Sequence, residues 1–231
     1  MSRPKLNQRV ILWDIDGTLV SSRPSRADNH VKAAEVFLGR DLPNRGRTAG
    51  KTDRQILCEL LEEHGRNPSP AALTAALSIL DDLSIEEISQ FPVPTISGAV
   101  AALDTARSIG WVNGLLTGNT PARARAKLES ARIWGAFDLN FAYFGDVDTS
   151  RINLVGKSAT AIRSEGVFEV VIVGDTPLDI QSAQEHGMRV IAVATGLYSA
   201  EELGYLNPDL LISDWESSST SFVEFLTSAR N

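Results

Sequence analysis

Downstream of Pro94 the chain alternates between short apolar runs and stretches of helical spacing, and few folds accept that pattern. Helical spacing covers Gly98 to Ile109, Pro121 to Arg132, Ile152 to Ser164 and the stretch up to Glu185, which His186-Gly187 closes. Between them lie apolar runs at Trp111 to Leu116, Leu139 to Phe144, Phe168 to Val173 and Arg189 to Ala194, with a short run at Leu210 to Ile212. Val223 to Ser228 ends a final helix. Short apolar runs of this kind, Phe168 to Val173 strongly β-branched among them, read as strands, and strand–helix alternation implies a doubly wound parallel sheet.

One further strand precedes this region. Val10 to Trp13 is apolar and runs directly into Asp14-Ile-Asp-Gly-Thr18. That places two aspartates at the carboxyl end of a buried strand, where open α/β sheets bind ligands. Carboxylates so close repel one another unless a cation neutralises them or one takes a proton, so chemistry explains them better than packing does. Residues 21–94 differ in character. Arg26 to Leu38, Asp53 to Glu63 and Ala71 to Ile88 have helical spacing, no strand interrupts them, and Phe91-Pro-Val-Pro94 bars both helix and central strand. The expected organisation is an α/β core from residues 1–20 and 95–231, with 21–94 as an inserted helical domain over the strands' carboxyl ends.

Composition narrows the function classes. A net charge of −7 in 231 residues disfavours a nucleic-acid binder, and no apolar run approaches the ~18 residues that a membrane span needs. The polar start of the chain passes straight into the first strand without the look of a signal peptide, so a cytoplasmic location is expected. One cysteine, Cys58, and three scattered histidines leave no disulfide framework and no Cys/His zinc site in prospect. The four tryptophans read as core residues, and the chain could be a monomer or a homodimer.

Four strand-end loops carry chemistry: the Asp14/Asp16 turn; Thr117-Gly118-Asn119; the loop after Phe144 with Asp146, Asp148 and Arg151; and Gly174-Asp175-Thr-Pro-Leu-Asp179. In order and spacing the first, second and fourth resemble the haloacid dehalogenase superfamily of aspartate-nucleophile hydrolases, especially phosphoglycolate-phosphatase-like phosphatases with a helical cap. The resemblance spans nearly the whole chain and implies a Rossmann-like core. It also implies a Mg²⁺-dependent phosphomonoesterase acting on a small phosphorylated metabolite. Asp14 is the expected nucleophile, forming an aspartyl phosphate, and Asp16 the residue that protonates the leaving oxygen and then deprotonates water. Thr117, Gly118 and Asn119 would hold phosphoryl oxygens, although Thr-Gly-Asn is also ordinary turn chemistry. Asp14, the backbone carbonyl of Asp16, and Asp175 supply hard oxygen ligands for Mg²⁺. Asp179 would act behind them, or simply favour the first turn of a helix that Pro177 opens.

The third loop departs from the family pattern, which usually has a lysine there. Lys157 has the right chemistry but falls well inside a predicted helix. Arg151 stands just before that helix, and a guanidinium can grip phosphate through two hydrogen bonds. Position favours Arg151. In the insert, Arg47-Thr-Ala-Gly50-Lys51-Thr52-Asp53 is a basic loop before a helix, with Thr52 or Asp53 as N-cap. In similar proteins this loop reads the leaving group, so Arg47, Gly50 and Lys51 are candidate specificity residues; equally, they could be surface charges. Two relatives on the same core remain as alternatives: a phosphosugar mutase, and a phosphonoacetaldehyde hydrolase for which Lys51 would form the Schiff base.

Overall fold

The computed structural model describes residues 8–21, 28–43 and 48–228. Its centre is a six-stranded, all-parallel sheet of β1 (Gln8–Trp13), β2 (Trp111–Leu116), β3 (Ala142–Tyr143), β4 (Val167–Gly174), β5 (Arg189–Val193) and β6 (Leu210–Ile212). The strand order is β3-β2-β1-β4-β5-β6. The chain therefore winds outward one way from β1, then returns to β4 and winds the other way. The crevice beyond the carboxyl ends of β1 and β4 is the topological switch point.

Alternation along each strand divides the core in two. Ile11, Trp13, Leu115, Val171, Val173, Ile191 and Val193 face one side, against α4 (Ala99–Ser108), α5 (Pro121–Ser130) and α9 (Ser219–Thr227). Val10, Leu12, Leu116, Ile172, Val190 and Ala192 face the other, against α6 (Arg151–Ser164), α7 (Pro177–Glu185) and α8 (Ala200–Gly204). Strands covered on both faces must be apolar on both, which is why β1 and β4 read as unbroken hydrophobic runs. Three of the tryptophans are buried: Trp13 and Trp215 pack together with Phe222, and Trp111 sits at the start of β2, while Trp134 is partly buried against the same cluster.

Between β1 and α4 lie α1 (Asn29–Leu38), α2 (Asp53–Glu63) and α3 (Pro70–Gln90). They form a third apolar cluster of their own, with Val31, Ile56, Leu57, Leu60, Leu73 and Leu80 at its heart and Cys58 packed at its edge. Two sequence expectations change. Leu139 to Phe144 is not one strand: Leu139–Phe141 is a 3₁₀ turn, and only Ala142–Tyr143 pairs with β2. The five-residue helix α8 was not expected, because five residues show no periodicity; its Ser199/Glu202 capping box is the signal in the sequence.

Candidate active site

Asp14 follows the last residue of β1, and its amide donates to the Val173 carbonyl of β4 (2.9 Å), so it lies on the switch crevice. The chain then folds back on itself: the amides of Leu19 and Val20 both donate to the Ile15 carbonyl. Gly17 makes that turn with a φ of +78°, and a Cβ there would collide with the Asp175 carboxylate; both facts require glycine. Asp175 itself follows β4 and accepts from the Thr18 hydroxyl (3.3 Å).

Asp14, Asp175 and Asp179 each place a carboxylate oxygen within 4.8 Å of the others, and all three residues are buried. Arg151, at the start of α6, enters this group from the side with only 1% of its side chain exposed. Its guanidinium donates to Asp179 (2.6 Å), to the Leu116 carbonyl (2.9 Å) and, at 3.4 Å, to Asp14. Asp179 also accepts from the amide and hydroxyl of Thr176, closing the capping box of α7. Negative charge still exceeds positive charge. Burial, with Asp179 and Asp16 nearby, raises the Asp14 carboxyl to about 7 against the pull of Arg151. Burial and the neighbouring Asp14 raise Asp175 well above its ordinary value. A buried, all-oxygen group with surplus negative charge suits a hard divalent cation such as Mg²⁺. By donor chemistry, therefore, Asp14 and Asp175 fit a divalent metal ion.

Asp16 points to a different set of partners. Asn119 donates to its Oδ2 (2.7 Å), and the ammonium of Lys127 lies 2.7 and 2.6 Å from its two oxygens. Burial raises the Asp16 carboxyl, but Lys127, with Asn119 and Arg123, outweighs this and holds it below the usual range. Thr117 Oγ1 accepts from the amide of Asn119 and from its Nδ2, which leaves the hydroxyl hydrogen available to a ligand.

The loop before α2 seats directly on this region. The Asp53 amide donates to the Gly118 carbonyl, and a Cβ on Gly118 would collide with the Lys51 carbonyl. Gly50 lies against Thr176 and Leu178, and the N-cap Thr52 donates its hydroxyl to the Asp148 carbonyl (2.7 Å). The Lys51 ammonium turns instead to Glu59 (2.8 Å), and Arg47 lies outside the described residues. Lys157 is 58% exposed and pairs with Asp148 (2.7 Å), on the outer side of α6.

The sequence reading expected helix α5 but missed the two cations it brings to the site. Arg123 and Lys127 are four residues apart on that helix, so both project from one face. Arg123 pairs with Asp53, which also accepts from the Thr120 amide and contacts His30 at 2.8 Å. Two cations four apart, just after a strand-end loop rich in polar residues, were the available signal.

Residues 11–184 match the family model for haloacid dehalogenase-like hydrolases, and residues 158–217 match a second, HAD-hydrolase-like model. The chain belongs to the haloacid dehalogenase-like hydrolases. It is 26% identical over 215 residues to a Dickeya dadantii protein named probable phosphatase IndB, covering 88% of each chain. It is 25% identical over 237 residues to a phosphoglycolate phosphatase of Mesorhizobium japonicum, covering 99% of each. Among solved structures, CbbY from Rhodobacter sphaeroides, in complex with xylulose-(1,5)-bisphosphate, superposes with a TM-score of 0.68 at 16% identity, over 91% of this chain and 95% of that one. That likeness is one of fold.

Proposed function

We propose that this hydrolase is a Mg²⁺-dependent phosphomonoesterase acting on a small phosphorylated metabolite, with residues 21–94 as its cap domain. One observation carries the reading: Asp14, Asp175, Asp179 and Arg151 converge at the switch crevice with Asp16 beside them. Asp14 is the nucleophile. Its carboxylate oxygen attacks phosphorus as the bond to the leaving oxygen breaks, giving an aspartyl phosphate. Asp16 passes a proton to the leaving oxygen. Because Asp16 is ionised at rest, that proton arrives with the substrate phosphate, whose second ionisation lies near pH 6. Water then attacks phosphorus, gives its proton to Asp16, and the bond to Asp14 breaks.

Asp14, the Asp16 carbonyl and Asp175 would hold Mg²⁺, which when bound offsets charge between nucleophile and phosphate. Arg151 is the active-site cation in this reading, and Lys157 a solvated helix charge. Arg151 also keeps a buried Nε without a partner, a donor that a phosphoryl oxygen could satisfy. Thr117, Gly118 and Asn119 line the phosphate side, and Asp179 orients Arg151. Gly50 contributes shape where the cap loop meets the core. The pairing of Lys51 with Glu59 weighs against a Schiff-base lysine at that position.

The test is turnover of an aryl phosphate and of a panel of metabolite phosphates, with and without Mg²⁺. Wild-type protein should release phosphate only with the metal, and Asp14→Asn should lose at least about 10³-fold, as expected when a covalent nucleophile is removed. Wild-type-level activity in Asp14→Asn would refute the nucleophile. Conversion of a hexose 1-phosphate to its 6-phosphate, in place of free phosphate, would indicate the mutase.

A further inference from the structure

Lys127 contributes an ammonium group to the catalytic loop from a helix that carries none of the strand-end motifs. It projects from α5, is 12% exposed, and reaches both oxygens of Asp16 and, at 2.7 Å, the Asn119 Oδ1. Asn119 closes the arrangement by donating to Asp16 Oδ2 (2.7 Å) and to Thr117 Oγ1 (2.8 Å). Each oxygen of Asp16 is therefore held, and the Asp16 carboxylate is fixed relative to the Thr117–Asn119 loop. Burying a lysine ammonium is costly unless it meets charge and hydrogen-bond acceptors, and here all three acceptors belong to the catalytic loops. A surface position on α5 would have avoided that cost. One turn earlier, Arg123 is held in the same way by Asp53 of the cap, so α5 touches both the cap and the proton-handling aspartate.

We infer that Lys127 is a positioning residue for the hydrolysis, acting through Asp16 by holding that carboxylate on the leaving-group side of the site. This rests on the phosphomonoesterase reading above. It predicts that Lys127 matters in proportion to the need for a proton on the leaving oxygen. A nitrophenolate leaves without one, whereas an alkoxide does not.

The experiment compares steady-state kinetics on p-nitrophenyl phosphate and on a simple alkyl phosphate, both with Mg²⁺. The proteins are wild type, Asp16→Asn, Lys127→Met, Lys127→Gln, Lys127→Arg and the Asp16→Asn/Lys127→Met double variant. Lys127→Met should lower kcat on the alkyl ester about 10²-fold, within the range for a positioned acid–base group. KM should change little, and the loss on the aryl ester should be much smaller. Lys127→Arg should recover part of kcat, and the double variant should be no slower than Asp16→Asn, because residues acting as a unit are not additive.

Equal losses on both esters, or additive losses in the double variant, would overturn the inference and leave Lys127 as a structural residue. If Lys127→Met fails to fold, Lys127→Gln supports the same comparison with the polar contact kept and the charge removed. A wild-type protein inactive on both esters would defeat the phosphomonoesterase reading itself, and the inference with it. Activity in the wild type with unchanged kcat in both Lys127→Met and Lys127→Gln would defeat the inference alone.

Discussion

Arg151 and Lys157 lie six residues apart at opposite ends of the accessibility scale. The first sits among three buried carboxylates; the second meets Asp148 at the protein surface. Their replacement should have correspondingly different effects. Arg151→Met removes the one cation that the described residues bring to Asp14 and Asp179, so kcat should fall about 10²–10³-fold, the usual cost of deleting a charge-stabilising donor at a reacting centre. It also leaves Asp179 buried without its partner, so the midpoint of chemical denaturation should drop, consistent with about 3–5 kcal/mol for breaking a buried pair from one side. Lys157→Met should leave kcat/KM within about twofold and stability within about 0.5 kcal/mol, because exposed pairs contribute little. Parallel kinetics and urea melts on the two variants check this, and equal losses would remove Arg151 from its role. Sequence position alone favoured Arg151, since a residue opening α6 faces the strand ends and one inside it need not.

Element-scale predictions concern the junction of α2 and α5. Asp53 is buried, accepts from the Thr120 amide at the start of α5 and from Arg123 one turn later, and contacts His30 of α1. Burial raises its carboxyl, but Arg123 and His30 outweigh burial and hold it far below the usual carboxylate range. A depressed carboxyl stabilises the fold above its unfolded value of about 4, and that contribution is lost as pH falls below it. Asp53→Asn should therefore cost about 3–5 kcal/mol at neutral pH by stranding the Arg123 charge. The gap between variant and wild type should narrow as the pH is lowered from about 4. Thermal melts across that range test it, and a pH-independent gap would mean the loss comes from packing alone.

This junction also marks where the sequence stops being readable. The helices of the insert follow from periodicity and caps: α2 begins at Asp53 because Thr52 caps it, and α3 starts on Pro70 behind Ser69. Pairing is another matter. Asp53 looked like the first residue of a helix, and nothing local points to an arginine seventy positions away. The same limit hid Lys127, whose meaning depends on the distance between α5 and the loop after β1. Edge strand β3 was overestimated for the opposite reason: an apolar run predicts burial, and Leu139 to Phe141 achieves part of it as a 3₁₀ turn.

At the scale of the whole molecule, the site is a consequence of strand order. Asp14 and Asp175 meet because β1 and β4 are neighbours, although the α1–α3 insert and two further strands separate them in sequence. The two carboxylates come together only on folding, so a cation that needs both binds only the folded chain. If that cation is the proposed Mg²⁺, linkage makes it a stabiliser by RT ln(1 + [Mg²⁺]/Kd), about 2.7 kcal/mol at a hundredfold excess over Kd. In a chain of this size that is a rise in melting temperature of roughly 5–10 °C, at about 2–4 °C for each kcal/mol. The rise should saturate with Mg²⁺ and be absent when KCl matches the ionic strength, because screening acts on all charges and binding on one site. Asp175→Asn should melt higher than wild type without metal, since it removes one of the mutually repelling carboxylates, and should gain little from Mg²⁺. Trp13, which directly precedes Asp14 and packs against Trp215 at 5.6 Å, gives an optical readout of the same titration. A full Mg²⁺-dependent shift in Asp175→Asn would place the cation elsewhere, and the buried surplus of negative charge beside Asp14 would then need another source of relief.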